Sequence, residues 1–333
     1  MKLTSIVTCV LFSLAAPLAA AAAPAPSSGV IKIDGSSTVF PISEAVAEEF
    51  QRESPGAKVT VGVSGTGGGF KKFVAGEVDI VDASRPIKTV ELEQAARNGV
   101  SFIELPIAYD ALSVVVNPKN TWVDRLTVKE LAKIWSPDAQ GKVMKWSDVR
   151  PGFPDKPLQL FGAGTDSGTF DYFTEAIVGR EKASRGDYTS SEDDNVIVTG
   201  VAGNEGAMGY FGVAYYNGNA RKLRVVPIDD EDASNGAGAQ LPTAEAVIAG
   251  AYRPLSRPLF IYVRNESLSR PEVRQFVGYY LKNAAALAAD VGYIPLPEGL
   301  ASQVTKRFEA GRLGTMYSGK VASGTTLEQA LQQ

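Results

Sequence analysis

The sequence contains no histidine, and Cys9 is the only cysteine among its 333 residues. Histidine is the commonest general base and the commonest metal ligand, so its absence removes the usual partner of a catalytic serine. Cys9 lies in a segment that we expect to be removed, which would leave the mature chain without a thiol. Disulfide bonds and cysteine-based metal sites are therefore excluded. We expect no metal and no other cofactor.

Long apolar runs are equally scarce, and the one that is present stands at the extreme N-terminus. Lys2 provides a charged start, residues 6–20 are apolar, and a run of alanines precedes Pro24. This is the pattern of a secretory signal peptide, which we predict over residues 1–23. An uncleaved membrane anchor is the alternative. The residues before Cys9 do not resemble a lipoprotein acceptor site, which favours a free exported protein.

Positive charge is not in surplus. The chain has 33 Lys and Arg against 37 Asp and Glu, a formal net charge of −4 that becomes −5 if Lys2 leaves with the signal peptide. Proteins that bind nucleic acid need a basic footprint, so a nucleic-acid partner is excluded. No run of like charges marks a membrane-binding tail.

Short apolar runs typical of β-strands recur along the chain, at residues 31–33, 59–63, 78–81, 112–116, 158–161, 209–211 and 259–263. Helical patterns lie between them. Two of these are preceded by capping-box pairs, Thr127 with Glu130 and Ser269 with Glu272. The alternation predicts α/β domains with largely parallel sheets. The length fits two domains of about 150 residues each.

Several of these strands end in turns rich in glycine and hydroxyl side chains. The turns are "GSST" at residues 35–38, "SGTGGG" at 64–69, "DASR" at 82–85 and "GTDSGT" at 164–169. In an open α/β sheet such turns lie at the carboxyl ends of the strands, where ligands bind. They direct free backbone N–H groups and the positive ends of helix dipoles outward. The pattern predicts an anion site, most naturally for phosphate or sulfate.

Plainer explanations exist for each turn. Any one of them is accounted for by ordinary helix capping. The glycines at 67–69 fit either close approach of a ligand to the backbone or a tight turn. The acidic residues at 192–194 lack the ligand spacing of a calcium loop, so a solvated or capping loop is favoured.

Specific catalytic motifs do not fit these turns, because the residues that the motifs require are absent. The segment "GTGGGFK" lacks the Gly-Lys-Ser/Thr of a nucleotide phosphate loop. In "GTDSGT", Thr169 stands where a hydrolase nucleophile turn has its second glycine, and Ser167 has no histidine to serve as its base. A Ser–Lys pair with Lys71 or Lys72 is conceivable, although nothing in the sequence fixes their proximity.

Taken together, these segments resemble the solute-binding protein of the phosphate ABC transporter, the PstS type. The resemblance covers most of the mature chain and rests on "IDGSSTVFPISEAVAEEF", "GTDSGTFDYFTEAI" and "GVAGNEGAMGYFGVAYY", with "DASRPI" and "SEDDN" in the same pattern. It implies an α/β fold of the periplasmic-binding-protein-like type II class. Such a fold is a clamp of two lobes, each a mainly parallel sheet flanked by helices.

The resemblance also implies where the lobes and the ligand lie. One discontinuous lobe would comprise residues 30–111 and 257–325, the other residues 112–256, with crossings near residues 109–114 and 256–262. Phosphate would lie dehydrated between them. The implied ligand-binding residues are Ser37, Thr38, Thr66, Ser84, Arg85, Ser167, Gly168 and Thr169, with Asp82 beside them.

Two departures from the family pattern bear on this site. The arginine that precedes the Ser-Gly-Thr turn in the best-known members is replaced by Ala163, and Arg85 could take its place as the bidentate cation. The family acid that accepts a proton from hydrogen phosphate falls on Ser84. Asp82 could accept that proton from a shifted position, or it could only cap or orient the loop. An acceptor of this kind would favour phosphate over sulfate.

The function implied is that of a periplasmic phosphate receptor that performs no chemistry on its ligand. It would act as a monomer and deliver phosphate to the membrane permease and ATPase subunits of an ABC transporter. A receptor for sulfate, molybdate or another oxyanion is the nearest alternative. A secreted phosphatase is the alternative from another class, and it would need a nucleophile, a base or a metal centre.

Overall fold

The computed structural model describes residues 29–165, 167–317 and 326–332. The predicted signal peptide at residues 1–23 lies outside these ranges, as do residues 318–325 at the end of the predicted first lobe. Within them, no helix is both long enough and apolar enough to cross a bilayer.

Strands and helices alternate along the described chain. The strands are β1 (Val30–Gly35), β2 (Lys58–Val63), β3 (Ile80–Ala83), β4 (Phe102–Val116), β5 (Leu126–Thr127), β6 (Gln159–Ala163), β7 (Thr189–Ser191), β8 (Ala207–Gly212), β9 (Arg224–Val225), β10 (Ile228–Asp229), β11 (Ser256–Arg264) and β12 (Ile294–Pro295). The α-helices are α1 (Phe40–Glu53), α2 (Gly65–Val74), α3 (Thr89–Arg97), α4 (Val128–Trp135), α5 (Trp146–Val149), α6 (Gly168–Val178), α7 (Asp194–Gly203), α8 (Val213–Asn219), α9 (Ala244–Ile248), α10 (Pro271–Asp290), α11 (Glu298–Glu309) and α12 (Leu327–Leu331). Short 3-10 helices lie at Pro137–Ala139 and Glu266–Ser269.

One mixed sheet runs through the molecule in the order β2-β1-β3-β11-β4-β8-β6-β7, with β9 and β12 also pairing with β4. The pairs on its two flanks, β1 with β2 and β3 and β6 with β7 and β8, are parallel. The two strands in the middle are antiparallel to their neighbours. The predicted α/β class is therefore confirmed, with parallel flanks joined by an antiparallel centre.

The central strand β4 extends over 15 residues, and every one of them is buried. Its first part, as far as Ala111, pairs with β11. From Leu112 onward it pairs with β8 instead. A strand buried on both faces reads as a continuous apolar run rather than an alternating one. The partners of β4 change within the region where the sequence predicts a crossing.

Aromatic side chains fill the core on both flanks of the sheet. On the β1 flank, the ring of Tyr262 lies 5.0 Å from that of Phe70. On the β6 flank, Trp135 makes edge contacts with Phe173 and Tyr210, whose rings stack at 3.7 Å. Each parallel flank thus has its own packed aromatic cluster.

The starts of α4 and α10 show whether the two predicted capping boxes form. The Thr127–Glu130 capping box is present at the start of α4, with both reciprocal hydrogen bonds formed. The Ser269–Glu272 box is wrong. The helix α10 begins at Pro271, and the Ser269 hydroxyl donates to the Glu266 carbonyl within the preceding 3-10 turn. Proline fits the first turn because it has no N–H to satisfy there.

The parallel strands place their carboxyl ends on the same edge of the sheet. Gly35, Val63 and Ala83 are the last residues of β1, β2 and β3, and each is followed by one of the hydroxyl-rich turns. Ala163 ends β6 on the other flank and precedes α6. The fold therefore brings the turns picked out in the sequence toward one region between the flanks.

Candidate anion-binding site

The turns meet around a cavity of about 250 Å³ between the two flanks of the sheet. One side, which we call the first wall, consists of Ser36–Thr38, Ser64–Gly68, Ser84, Arg85 and Lys88. The opposite side, which we call the second wall, consists of Gly168, Asp171, Tyr172, Glu175 and Glu181. Arg257 of β11 completes the lining. Of the predicted ligand residues, the structure brings six to this cavity: Ser37, Thr38, Thr66, Ser84, Arg85 and Gly168.

The turn after β1 is held closely against β3. Gly35 has φ +149°, outside the range that most side chains adopt, and a Cβ there would lie 2.2 Å from the Asp82 carbonyl oxygen. The Ser36 N–H donates to that same carbonyl at 3.0 Å. Within the turn, the Thr38 N–H donates to the Ser36 hydroxyl at 3.2 Å. These contacts leave the hydroxyl groups of Ser37 and Thr38 at the cavity.

The glycine-rich segment after β2 is the first part of α2 rather than a loop, since the helix begins at Gly65. A Cβ on Gly69 would lie 2.6 Å from the Gly35 Cα, so packing against β1 requires glycine at this position. Gly67 faces open space, with only the Arg85 guanidinium near it. The N–H groups of a first helical turn have no partner in the helix, so this segment offers donors at the positive end of a dipole.

The hydroxyl groups of Thr66 and Ser84 join the second and third turns. Their oxygens lie 3.0 Å apart, and the Ser84 N–H donates to the Thr66 hydroxyl at 3.2 Å. One of the two hydroxyl hydrogens is used in this contact. The other is left for a ligand.

Arg85 lies in the first wall, but its guanidinium is already engaged. Both terminal nitrogens donate to the Glu91 carboxylate, at 2.8 and 2.9 Å, and one also donates to the Pro86 carbonyl. The group lies 5.4 Å from the centre of the Phe70 ring. The bidentate partner of Arg85 in this structure is therefore a carboxylate of its own wall.

The turn before α6 reaches across to the first wall. Ser167 is the N-cap of α6 and accepts a hydrogen bond from the Thr169 N–H at 3.1 Å. A Cβ on Gly168 would lie 2.7 Å from the Ser37 hydroxyl oxygen and 2.9 Å from that of Thr38. The two flanks therefore touch at Gly168, and the contact is too close for any side chain.

Ser167 and Thr169 lie on the far side of this contact. They line a second cavity of about 670 Å³, together with Asp110, Asp194 and Asp290. No lysine or arginine lines this cavity among the described residues. Burial raises the pKa of Asp194 to about 6, and the neighbouring Asp193 and Glu192 carboxylates act in the same direction. The acidic lining makes this second cavity a poor site for an anion.

The carboxyl group of Asp82 is not brought to either cavity. It is fully buried behind the first turn, where it accepts a hydrogen bond from the Ser43 hydroxyl at 2.9 Å. The Ser43 hydroxyl also contacts the Tyr280 hydroxyl, while Oδ2 of Asp82 has no partner. Burial raises the pKa of Asp82 to about 8. A role of Asp82 as a direct proton acceptor stays a prediction, and its visible contacts are those of a residue that supports the turn.

The second wall carries acids instead of donors. Asp171 and Glu175 project from α6, and Glu181 follows that helix. Burial raises the pKa of Asp171 to about 6, and the adjacent Glu181 carboxyl also raises it, against the opposing effect of Lys182. Burial is the main cause of this shift, because a carboxylate is less stable out of water than a neutral carboxyl group. These acids were not singled out in the sequence, because helical acids usually face solvent.

Arg257 is the cavity residue that sequence reasoning missed most completely. Its side chain is 13% exposed, and its Nη2 donates to the Thr38 hydroxyl at 3.1 Å. Its Nε lies 3.4 Å from an Asp110 carboxylate oxygen. The guanidinium carbon lies 3.5 Å from the centre of the Tyr172 ring. The only signal in the sequence is an arginine at the start of an apolar strand.

The acidic run at residues 192–194 caps a helix in this structure and is not part of a metal-binding cluster within the described ranges. They contain no group of three or more histidine, cysteine, aspartate or glutamate side chains placed to hold a metal ion. Asp193 is the N-cap of α7, where its side chain accepts from the Asn195 N–H at 2.9 Å. The capping interpretation of the acidic run at 192–194 is therefore confirmed.

Comparison with known proteins gives this geometry its context. Residues 20–284 match the family model described as a PBP superfamily domain. The chain belongs to the PBP superfamily. Within it, the chain is similar to PstS-type proteins: it is 37% identical over 273 residues to the phosphate-binding protein PstS of Staphylococcus saprophyticus, covering 81% of each chain.

Two further proteins are more similar to this chain in sequence. Protein SphX of Synechococcus elongatus is 49% identical over 303 residues, which is 91% of this chain and 88% of that protein. The crystal structure of a possible phosphate-binding protein from Planctomyces limnophilus is also 49% identical. It superimposes with a TM-score of 0.80 over 86% of this chain and 99% of its own. The fold is thus that of the PBP superfamily.

Proposed function

We propose that this chain is an extracytoplasmic receptor that binds inorganic phosphate and performs no chemistry on it. The observation that carries the proposal is the convergence of three hydroxyl-rich turns from one flank of the sheet, and of Gly168 from the other flank, on a single small cavity that also contains arginine. A dehydrated oxyanion is stable only if its oxygens are hydrogen-bonded, and such turns supply donors in that number. The names of the PstS relative and of the Planctomyces protein support the same ligand.

We further propose the two-lobe organisation expected from the sequence. Residues 30–111 with 257–325 would form one lobe and residues 112–256 the other. The exchange of β4 partners at Ala111 and Leu112 supports a boundary there. A ligand held by both walls favours the closed arrangement, because the open one offers it only half of its contacts.

The proposed contacts follow the geometry of the walls. Ser37, Thr38 and the Thr66–Ser84 pair would donate hydroxyl hydrogens, and Gly168 would supply a backbone N–H. Ser167 and Thr169 hold that turn and lie at its far side. Arg85 borders the site, while Asp82 would act behind it.

We propose that the mature protein is a periplasmic monomer. It would be exported by the predicted signal peptide over residues 1–23. It would release phosphate to the permease and ATPase subunits of an ABC transporter. Chemical sequencing of the mature N-terminus would test the first step: a chain that begins at Met1 would contradict cleavage.

Calorimetric titration with phosphate, sulfate and molybdate tests the ligand. Tight binding of phosphate with at least about tenfold weaker binding of the other two supports the proposal, a difference of about 1.4 kcal/mol. Equal binding of all three would favour a general oxyanion receptor. Hydrolysis of a phosphate monoester by the purified protein would favour the phosphatase alternative, and its absence under conditions of tight binding would reject it.

A further inference from the structure

Three cationic side chains line the cavity, and they differ in the hydrogen bonds and ion pairs that they already form. Arg85 forms a two-point pair with Glu91 inside the first wall. Lys88 has a single flexible charge at the rim of that wall. Arg257 lies on β11, between the two walls. The pair with Glu91 and the hydrogen bond to the Pro86 carbonyl use three of the five N–H groups of Arg85 and hold its guanidinium against its own wall.

The guanidinium of Arg257 contacts three residues, and one of its terminal nitrogens is left for a ligand. Nη2 donates to Thr38, Nε faces Asp110, and the flat face of the group lies on the Tyr172 ring. Within the described ranges, Nη1 has no hydrogen-bond partner. The planar fork of arginine is suited to oxyanions, and a fork whose orientation is already fixed loses little entropy when it binds one.

The Asp110 partner does not cancel this charge at the cavity. Asp110 is buried, and its carboxyl group lines the second cavity rather than the anion cavity. The pair therefore lies between the two cavities: Arg257 lines the anion cavity, whereas Asp110 lines the second cavity, which Ser37 and Thr38 also border. Two charges taken out of water require each other, so the pair holds Arg257 in place.

The contacts of Arg257 also join opposite flanks of the sheet. Thr38 belongs to the turn after β1, whereas Tyr172 lies on α6 beside the β6 flank. Because the guanidinium accommodates both at once, an anion bound to it would meet a cation that already belongs to the interface. Accepting from Nη2 also leaves the Thr38 hydroxyl hydrogen free to donate to the same anion.

We propose that Arg257 is the cation that binds the ligand, and that it couples ligand binding to contact between the two walls. The inference rests on the proposed function for the identity of the ligand, a tetrahedral oxyanion such as phosphate. Arg85 then has a secondary part, as a wall residue held by Glu91. The rival explanation is purely structural, with Arg257 serving only to pin Tyr172 and neutralise Asp110.

Titration calorimetry of four full-length mature proteins with inorganic phosphate separates these explanations. Arg257→Gln alone would strand the buried Asp110 charge, so the main variant is Arg257→Gln with Asp110→Asn. Arg257→Lys keeps the charge but removes the fork. Arg52→Gln is the matched control, because Arg52 is an exposed arginine paired only with Glu49. Thermal unfolding of each protein reports its fold.

We expect the double variant to lose about 100-fold or more in phosphate affinity, and Arg257→Lys to lose about tenfold, while the control binds as the parent does. A double variant that is folded and binds phosphate within about threefold of the parent would overturn the inference. If the double variant does not fold, full parental affinity in Arg257→Lys would overturn it instead. Failure of the parent itself to bind phosphate would reject the proposed function, a different result.

Small-angle scattering gives a readout of the coupling. The parent should become more compact when phosphate is added. Tyr172→Leu removes the stacked ring and the hydrogen bond that the Tyr172 hydroxyl donates to the Pro254 carbonyl, but none of the groups proposed to donate to the anion. It should therefore bind more weakly and compact less at saturating phosphate. Parental affinity together with full compaction in this variant would reject the coupling.

Discussion

The two walls of the cavity carry opposite kinds of side chain. The first wall has hydroxyl groups, helix N–H groups and the cations Arg85 and Lys88. The second wall has one glycine turn and three acids, Asp171, Glu175 and Glu181. An anion can rest on the first wall alone, but closing the second wall over it brings carboxyl groups near the ligand. On the proposed function, the first wall and Arg257 would supply the affinity, and the second wall would select among anions.

The largest change in phosphate affinity is expected at Gly168, where the two walls touch. Gly168→Val would drive the walls apart, because even a Cβ would lie 2.7 Å from the Ser37 oxygen. We expect phosphate affinity to fall by about 100-fold or more, with little change in the unfolding temperature. Gly299→Ala on α11, where a Cβ meets nothing within 4 Å, is the control. Calorimetry showing parental affinity in Gly168→Val would mean that the walls need not meet.

The next effect concerns the two arginines. Arg85→Gln should weaken phosphate binding by only about three- to tenfold, because the guanidinium of Arg85 is already occupied by Glu91. The measurement is a phosphate titration beside that of the Arg257 variants. A loss in Arg85→Gln as large as in the double variant at Arg257 and Asp110 would reverse the ranking of the cations.

The acids of the second wall should affect sulfate more than phosphate. Because the pKa of Asp171 is raised to about 6, its carboxyl is charged at pH 7.5 and becomes neutral as the pH falls below about 6. Sulfate has no proton to offer a carboxylate, so its affinity should rise as the pH falls through that range. Glu181, Lys182 and Arg257 face the same group and set the size of the effect.

Asp171→Asn removes this charge at every pH. At pH 7.5 we expect sulfate to bind about tenfold more tightly than to the parent, with the pH dependence largely gone. Glu93→Gln, at an exposed glutamate on α3, is the control. Unchanged sulfate binding in Asp171→Asn at both pH 5 and pH 7.5 would show that the second wall does not select against unprotonated anions.

The smallest effect on binding is expected at Asp82, where the change appears in stability. Its pKa rises from 3.8 to about 8 on folding, so the folded state holds a proton that the unfolded state has lost. The contribution of Asp82 to stability is then greatest below about pH 4 and falls as the pH rises to about 8, by up to about 1.4 kcal/mol per pH unit. Asp82→Asn should flatten this slope and raise the unfolding temperature at pH 7.5.

Thermal unfolding between pH 4 and pH 8 measures the slope in both proteins. A parallel phosphate titration decides the role of Asp82 in the site. If the asparagine variant loses more than about tenfold in affinity, Asp82 contacts the ligand or its proton directly. If the slope is the same in both proteins, the buried acid is charged throughout.

Local patterns in the sequence predict most of the strands and helices, but only part of the set of residues that line the anion cavity. Strand ends followed by hydroxyl-rich turns could be read directly, because capping and strand termination depend on neighbouring residues. Arg257 could not be found this way, since its partner Thr38 lies 219 positions earlier. The face on which the Asp82 side chain lies also depends on tertiary packing. Pairings of this range are decided by which strands lie side by side, not by local pattern.

The course of β4 has a mechanical consequence. Its 15 buried residues form hydrogen bonds first with β11 and then with β8. A single strand is therefore hydrogen-bonded to both halves of the sheet. On the proposed two-lobe organisation, the halves would move about this segment, and they could not separate without breaking its hydrogen bonds to β11 and β8. Its amide protons should accordingly be among the slowest in the molecule to exchange with deuterated solvent, whether or not the cleft is occupied.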